Sequence, residues 1–124
     1  MKLLLDTHAA LWWLADDPRF GDAAAAALED PGNDVLLSAA VVWEVAIKRS
    51  LGKLRAPSDF AATLVRGGVR ELPVSAAHAT VVEQLPWHHR DPFDRMLVAQ
   101  ATVEGATLVS RDGALASYGL PVVW

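Results

Sequence analysis

The sequence predicts an α/β protein, a central parallel sheet of about four to five strands flanked by helices in three layers. Two observations carry this prediction. Short apolar runs of strand length alternate with helix-like segments from one end of the chain to the other. Those runs are apolar without interruption rather than every second residue, the pattern of strands buried on both faces. At 124 residues the chain fits one domain, 1–124, large enough to bury a core without staples.

Lys2–Leu5 is the first such run, and it ends abruptly in Asp6. Thr7 to Ala15 follows as a helix, broken by Asp16-Asp17-Pro18. Asp22 to Asp30 is an alanine-rich helix closed by Pro31-Gly32-Asn33. Val35–Ser38 is the second strand, and a helix opening at Ser38 or Ala39 runs to about Ser50, with Gly52 ending it. Ser58 is the expected cap of a helix over about Asp59 to Val65, stopped by Gly67-Gly68. Val69–Val74 is strand-like, and Ser75 caps a helix reaching Leu85. Pro86–Pro92 is a polar loop, Asp94 to Glu104 a helix ended by Gly105, and Ala106–Ser110 another buried strand. A helical turn near Ala114–Ser117 leads to a last strand, Pro121–Trp124.

Composition excludes several classes of function. The chain has no cysteine, so disulfides, zinc thiolates and thiol nucleophiles are absent, and a reducing cytoplasm is the expected location. The leucines after Lys2 are too few for a signal peptide, and no run is long enough to span a membrane. Apolar residues make up 52% of the chain, high for a small soluble monomer, so a second copy or a partner is expected to cover part of the surface. The net charge of −4 argues against nucleic acid at first sight. Set aside four acids as a metal site and the remaining balance is zero, so net charge decides little.

Those four acids are Asp6, Glu44, Asp94 and Asp112. Asp6 and Asp112 each follow a predicted strand, and an open parallel sheet puts its ligands just past the carboxyl ends of its strands. Each could equally cap the helix after it, although Thr7 could do that for the first. Glu44 lies inside Ala39–Ile47, one of the most apolar windows, where a carboxylate must escape to solvent or be compensated. Lys48, four residues on, offers an ordinary helical pair. Asp94 sits in Arg90-Asp91-Pro92-Phe93-Asp94-Arg95, where Asp91 is the alternative cap and a salt-bridge network the alternative role. If the four converge, their mutual repulsion raises their pKa values or recruits metal, and hard oxygen donors suit Mg²⁺ or Mn²⁺. Such ions can activate water for in-line attack on a phosphodiester.

The residues Leu4-Leu5-Asp6-Thr7-His8, Trp43–Lys48, His89–Ala101 and Leu108–Asp112 carry a resemblance. In order and approximate spacing the chain resembles the PIN-domain family, and within it the VapC-type toxins of toxin–antitoxin pairs. The resemblance covers essentially the whole chain; each motif is weak alone, and four in series are specific. It implies a PIN-like fold, a Mg²⁺- or Mn²⁺-dependent endoribonuclease acting on RNA, inhibition by a VapB-like antitoxin, and a homodimer. By position it implies Asp6, Glu44 and Asp94 as the principal acids, Asp112 as the fourth, and Thr7 as the polar residue after the first. Asp91 is either a supporting residue of the site or a cap.

Other residues invite a role. Arg90, Arg95 and Arg111, with Ser110 beside the last, lie near the expected site, where the arginines hold phosphates or pair with Asp91, Asp94 and Asp112. His88-His89 reads as an exposed loop pair meeting RNA phosphates, since adjacent histidines rarely share a metal. His8 is expected to be an ordinary helix-start residue. Trp12 and Trp13 are expected in packing or a dimer contact rather than base stacking. Lys48, Arg49, Lys53 and Arg55 form the only basic run. Two other functions compete: a phospho-receiver domain, weakened by the lone Asp6 and the missing lysine after Val109-Ser110, and a non-catalytic protein-binding module, weakened by the complete acid set. The residues alone do not separate RNA from DNA.

Overall fold

Leu3, Leu4 and Leu5 are fully buried in the computed structural model, which describes residues 1–124. Successive strand residues face opposite sides, so three consecutive buried leucines mean a sheet covered on both faces. This strand, β1 (Lys2–Leu5), is the centre of the fold. The elements after it are α1 (Thr7–Leu14), α2 (Asp22–Glu29), β2 (Asp34–Ser38), α3 (Ala39–Ser50) and α4 (Phe60–Arg66). Then come β3 (Arg70–Leu72), α5 (Ala76–Val82), α6 (Pro92–Glu104), β4 (Thr107–Val109), a 3-10 helix (Gly113–Tyr118) and β5 (Val122–Val123).

The five strands lie in the order β3-β2-β1-β4-β5, every neighbouring pair parallel. Leu4 is in register with Leu36 on one side and Leu108 on the other. The chain builds outward from β1 through β2 to β3, then crosses back to place β4 on the opposite flank. The crevice at this reversal opens at the carboxyl ends of β1 and β4, where a parallel sheet binds its ligands.

Local chemistry moves several boundaries from their sequence expectations. β3 is three residues long rather than Val69–Val74, because Pro73 has no N–H for the ladder. α5 stops at Val82, short of Leu85, and α4 begins at Phe60 with no side-chain cap, so Ser58 does not cap it. α6 begins at Pro92 rather than Asp94, with the Asp91 carboxylate accepting from the amides of Phe93 and Asp94. That settles Asp91 as the cap and puts Pro92 where its missing N–H costs nothing. Gly105 ends α6 at φ 65°, the left-handed turn for which glycine is preferred.

The aromatic residues close one end of the molecule. Trp13 packs on Phe20, Phe20 on Trp124, and Trp124 on Trp12, with ring centroids 5.0–5.7 Å apart. Gly21 lies under this cluster; a Cβ there would sit 2.4 Å from the Trp124 carbonyl carbon. No helix is long and apolar enough to cross a membrane.

Candidate active site

Four elements deliver one carboxylate each to the crevice. Asp6 ends β1 and caps α1, so its role as a cap and its place in the crevice coincide. Its Oδ1 accepts from the Ala9 amide at 2.8 Å, and its Oδ2 accepts from the Ser110 hydroxyl. The residue is only 7% exposed, and desolvation pushes its carboxyl above the usual range despite these hydrogen bonds. Asp112 also contributes to that rise by charge repulsion, so the two strand ends face the same space.

Glu44 comes from α3. It is buried, 5% exposed, and its two oxygens accept from Thr7 Oγ1 and Lys48 Nζ. The ordinary i,i+4 pair with Lys48 is therefore present, but as compensation for a buried carboxylate rather than as a solvated stripe. The same contact raises the lysine pKa, with Asp91 and Asp94 adding to it. Thr7 thus connects α1 to α3 and does not cap its own helix.

Asp94 stands on the first turn of α6 and is pushed up to about 7. Desolvation is the main cause, followed by repulsion from Asp91; Asp6 and Glu44 also raise it, and His89 pulls it down. Asp112 caps the 3-10 helix through Oδ1, which accepts from Ala114 N at 2.9 Å. Its own amide donates to Ser110 Oγ, so Ser110 is tied to both strand-end acids.

The fold places His89 against the acids, unlike the exposed loop residue expected. Its Nε2 lies 3.1 Å from Asp112 Oδ2 and 3.2 Å from Asp94 Oδ2. Its neighbour His88 is exposed and meets the Tyr118 ring. Sequence reasoning missed His89; the available signal was its place two residues before the capping Asp91, whose amide its Nδ1 accepts at 3.1 Å.

Arg95 turns away from the acids. It is 3% exposed, donating to the carbonyls of Pro86, Val82 and Leu85, with its guanidinium 3.8 Å from the Trp87 ring centroid. It fastens the segment before α6 and has no place at a phosphate. Arg90 and Arg111 are exposed and absent from the ion pairs of the molecule, so neither takes the expected pairing with Asp91 or Asp112. Arg111 instead lies 5.8 Å from the centroid of Trp12, a half-buried packing residue as expected.

The donor set is one that fits a hard divalent cation. It offers carboxylate oxygens and no sulfur ligand, and the Asp94 and Asp112 oxygens lie within 4.8 Å of each other and of a His89 ring nitrogen.

The PIN domain family profile matches residues 3–120. Ribonuclease VapC22 of Mycobacterium tuberculosis is 32% identical over 129 residues, spanning 98% of this chain and 98% of its own. VapBC2 from Rickettsia felis, solved with a DNA fragment from its promoter, has a TM-score of 0.74 at 18% identity, covering 99% of this chain and 98% of that one. VapC20 of Mycobacterium tuberculosis, a Sarcin-Ricin loop cleaving toxin, has a TM-score of 0.67 at 19% identity, covering 95% of each chain. At such identities the structural likenesses speak to the fold, and the near-complete family match speaks to descent: this chain belongs to the PIN-domain family.

Proposed function

We propose that the protein is a metal-dependent endoribonuclease, the toxin of a type II toxin–antitoxin pair whose partner is a VapB-like antitoxin. The carrying observation is the convergence of Asp6, Glu44, Asp94 and Asp112 from separate elements on one crevice, where burial and its acidic neighbours push Asp94 up to about 7. Four acids from separate elements repel one another at the mouth of the sheet, and a Mg²⁺ or Mn²⁺ ion relieves that repulsion. The full-length likeness to a ribonuclease supports RNA as substrate.

Asp6, Asp94 and Asp112 would hold the ion, with Glu44 adding a charge already partly offset by Lys48. When bound, such an ion lowers the pKa of a coordinated water and stabilises the charge that develops on phosphate oxygens. The chain's own residues do the rest. Ser110 and Thr7 fix the carboxylates of Asp6 and Glu44 by donating to them. Arg90 and Arg111, unpaired and exposed, are available to hold flanking phosphates.

The proposed homodimer has a specific surface. α3, α5 and α6 leave an apolar hollow of about 610 Å³, lined by Trp43, Val74, Val82, Trp87, Phe93 and Met96. Trp43 is 63% exposed and Trp87 75% exposed, a surface that a second copy would cover.

The test is cleavage of a pool of long RNAs with Mg²⁺ or Mn²⁺ and with chelator, beside Asp94→Asn. Metal-dependent cutting that the variant loses supports both enzyme class and site. A wild type that neither cuts nor binds divalent metal would leave a protein-binding module as the better reading.

A further inference from the structure

The His89 ring is held at three points. Its backbone amide donates to the Tyr118 hydroxyl at 3.0 Å, its Nδ1 accepts from the Asp91 amide at 3.1 Å, and its Nε2 meets Asp112 Oδ2 at 3.1 Å. A ring nitrogen that accepts from an amide carries no proton, so in the neutral ring the proton sits on Nε2. A protonated nitrogen has no free lone pair for a metal. In this setting His89 is a donor to Asp112, with Asp94 Oδ2 3.2 Å from the same nitrogen, and not a ligand beside them.

The donor stands between two acids brought from different parts of the chain. Asp112 lies 23 residues away in the loop after β4, and Asp94 is on α6. Asp94 has no other side-chain partner: its single close contact is Nε2 at 3.2 Å. Removing the ring would leave Asp94 without a side-chain partner, free to swing away from Asp112, which the Ala114 amide still holds.

We propose that His89 is a positioning residue that, through its Nε2 proton, holds Asp94 and Asp112 at the spacing a divalent cation requires. The consequence for metal rests on the nuclease reading; the hydrogen-bond arrangement itself does not. Partners of this kind behind metal ligands are commonly worth about 10–100-fold in affinity.

The experiment is Mn²⁺ titration calorimetry on the whole chain for wild type, His89→Ala and His89→Gln, with long-range ¹⁵N–¹H spectra of the metal-free wild type at pH 8. The expected result is a loss of about 10–100-fold in Mn²⁺ affinity for alanine. Glutamine, which carries an amide N–H to nearly the position of Nε2, should recover most of it. Unchanged or tighter binding by His89→Ala overturns the proposal, the latter by making the ring a competitor of the metal. Failure of glutamine to rescue a folded protein overturns the hydrogen-bond account. The spectra should show the proton on Nε2, and a proton on Nδ1 overturns it independently. If the wild type binds no Mn²⁺, the nuclease reading fails, and the spectra alone decide the arrangement around His89.

Discussion

Asp94 carries a repulsion that a neutral isostere removes. Its carboxyl, pushed up to about 7, takes up its proton in the folded state before it does in the unfolded chain. The favourable contribution is therefore complete below about pH 4 and is lost as pH rises through about 7. Asp94→Asn should match the metal-free wild type in stability at pH 4 and exceed it by up to about 4 kcal/mol at pH 8. Urea melts at the two pH values check this; equal midpoints at pH 8 would remove the electrostatic basis of the site. The same substitution should lower metal-dependent RNA cleavage by at least about 100-fold, measured as single-turnover rate. At this scale the sequence was partly legible. Asp6 and Asp112 could be placed because a strand end gives the direction of the next side chain. Glu44 stood out as a charge in an apolar window. His89 and Arg95 were opaque for a common reason: their roles depend on Tyr118 and on carbonyls 82–86, contacts that no local pattern encodes.

Between α5 and α6 the chain has little regular structure, and Arg95 replaces it with hydrogen bonds to three carbonyls. Arg95→Ala should cost about 2–3 kcal/mol and raise hydrogen exchange across residues 83–90, the segment that carries His89. Protection unchanged in that segment would mean that the guanidinium is not what fastens it. A second element-scale test lies in the aromatic cluster of Trp12, Trp13, Phe20 and Trp124. Gly21→Ala drives a methyl group into the Trp124 backbone, so it should cost about 1–3 kcal/mol and shift the tryptophan fluorescence, read in a chemical melt. Element order and type were legible because each apolar run was bounded by turn chemistry. Ends were less so. Pro73 shortened β3, and the cap of α6 lay between Asp91 and Asp94 until the amide partners of Asp91 resolved it. The tight seat of Gly21 was invisible, since it depends on residues about a hundred positions away.

At the scale of the whole molecule, the apolar hollow flanked by Trp43 and Trp87 makes the monomer an incomplete surface. On the proposed homodimer, Trp43→Glu should shift the protein from dimer to monomer in sedimentation equilibrium, while its circular dichroism is unchanged. A wild type that sediments as a monomer at high micromolar concentration would exclude this face as a self-association surface. The fold class followed from alternation alone, but the strand order did not, because nothing local states on which flank of β1 the fourth strand will lie.

That order has a consequence for synthesis. The central strand β1 is made before both of its neighbours, and one of them, β4, follows it by about a hundred residues. Asp6 meets Ser110 across 104 residues, so the crevice has no second wall until β4 has been made. A nascent chain that has not yet reached β4 therefore has Asp6, Glu44 and Asp94 but no enclosure around them. On the proposed activity, the order of the strands means that the cutting site is among the last features the sheet completes.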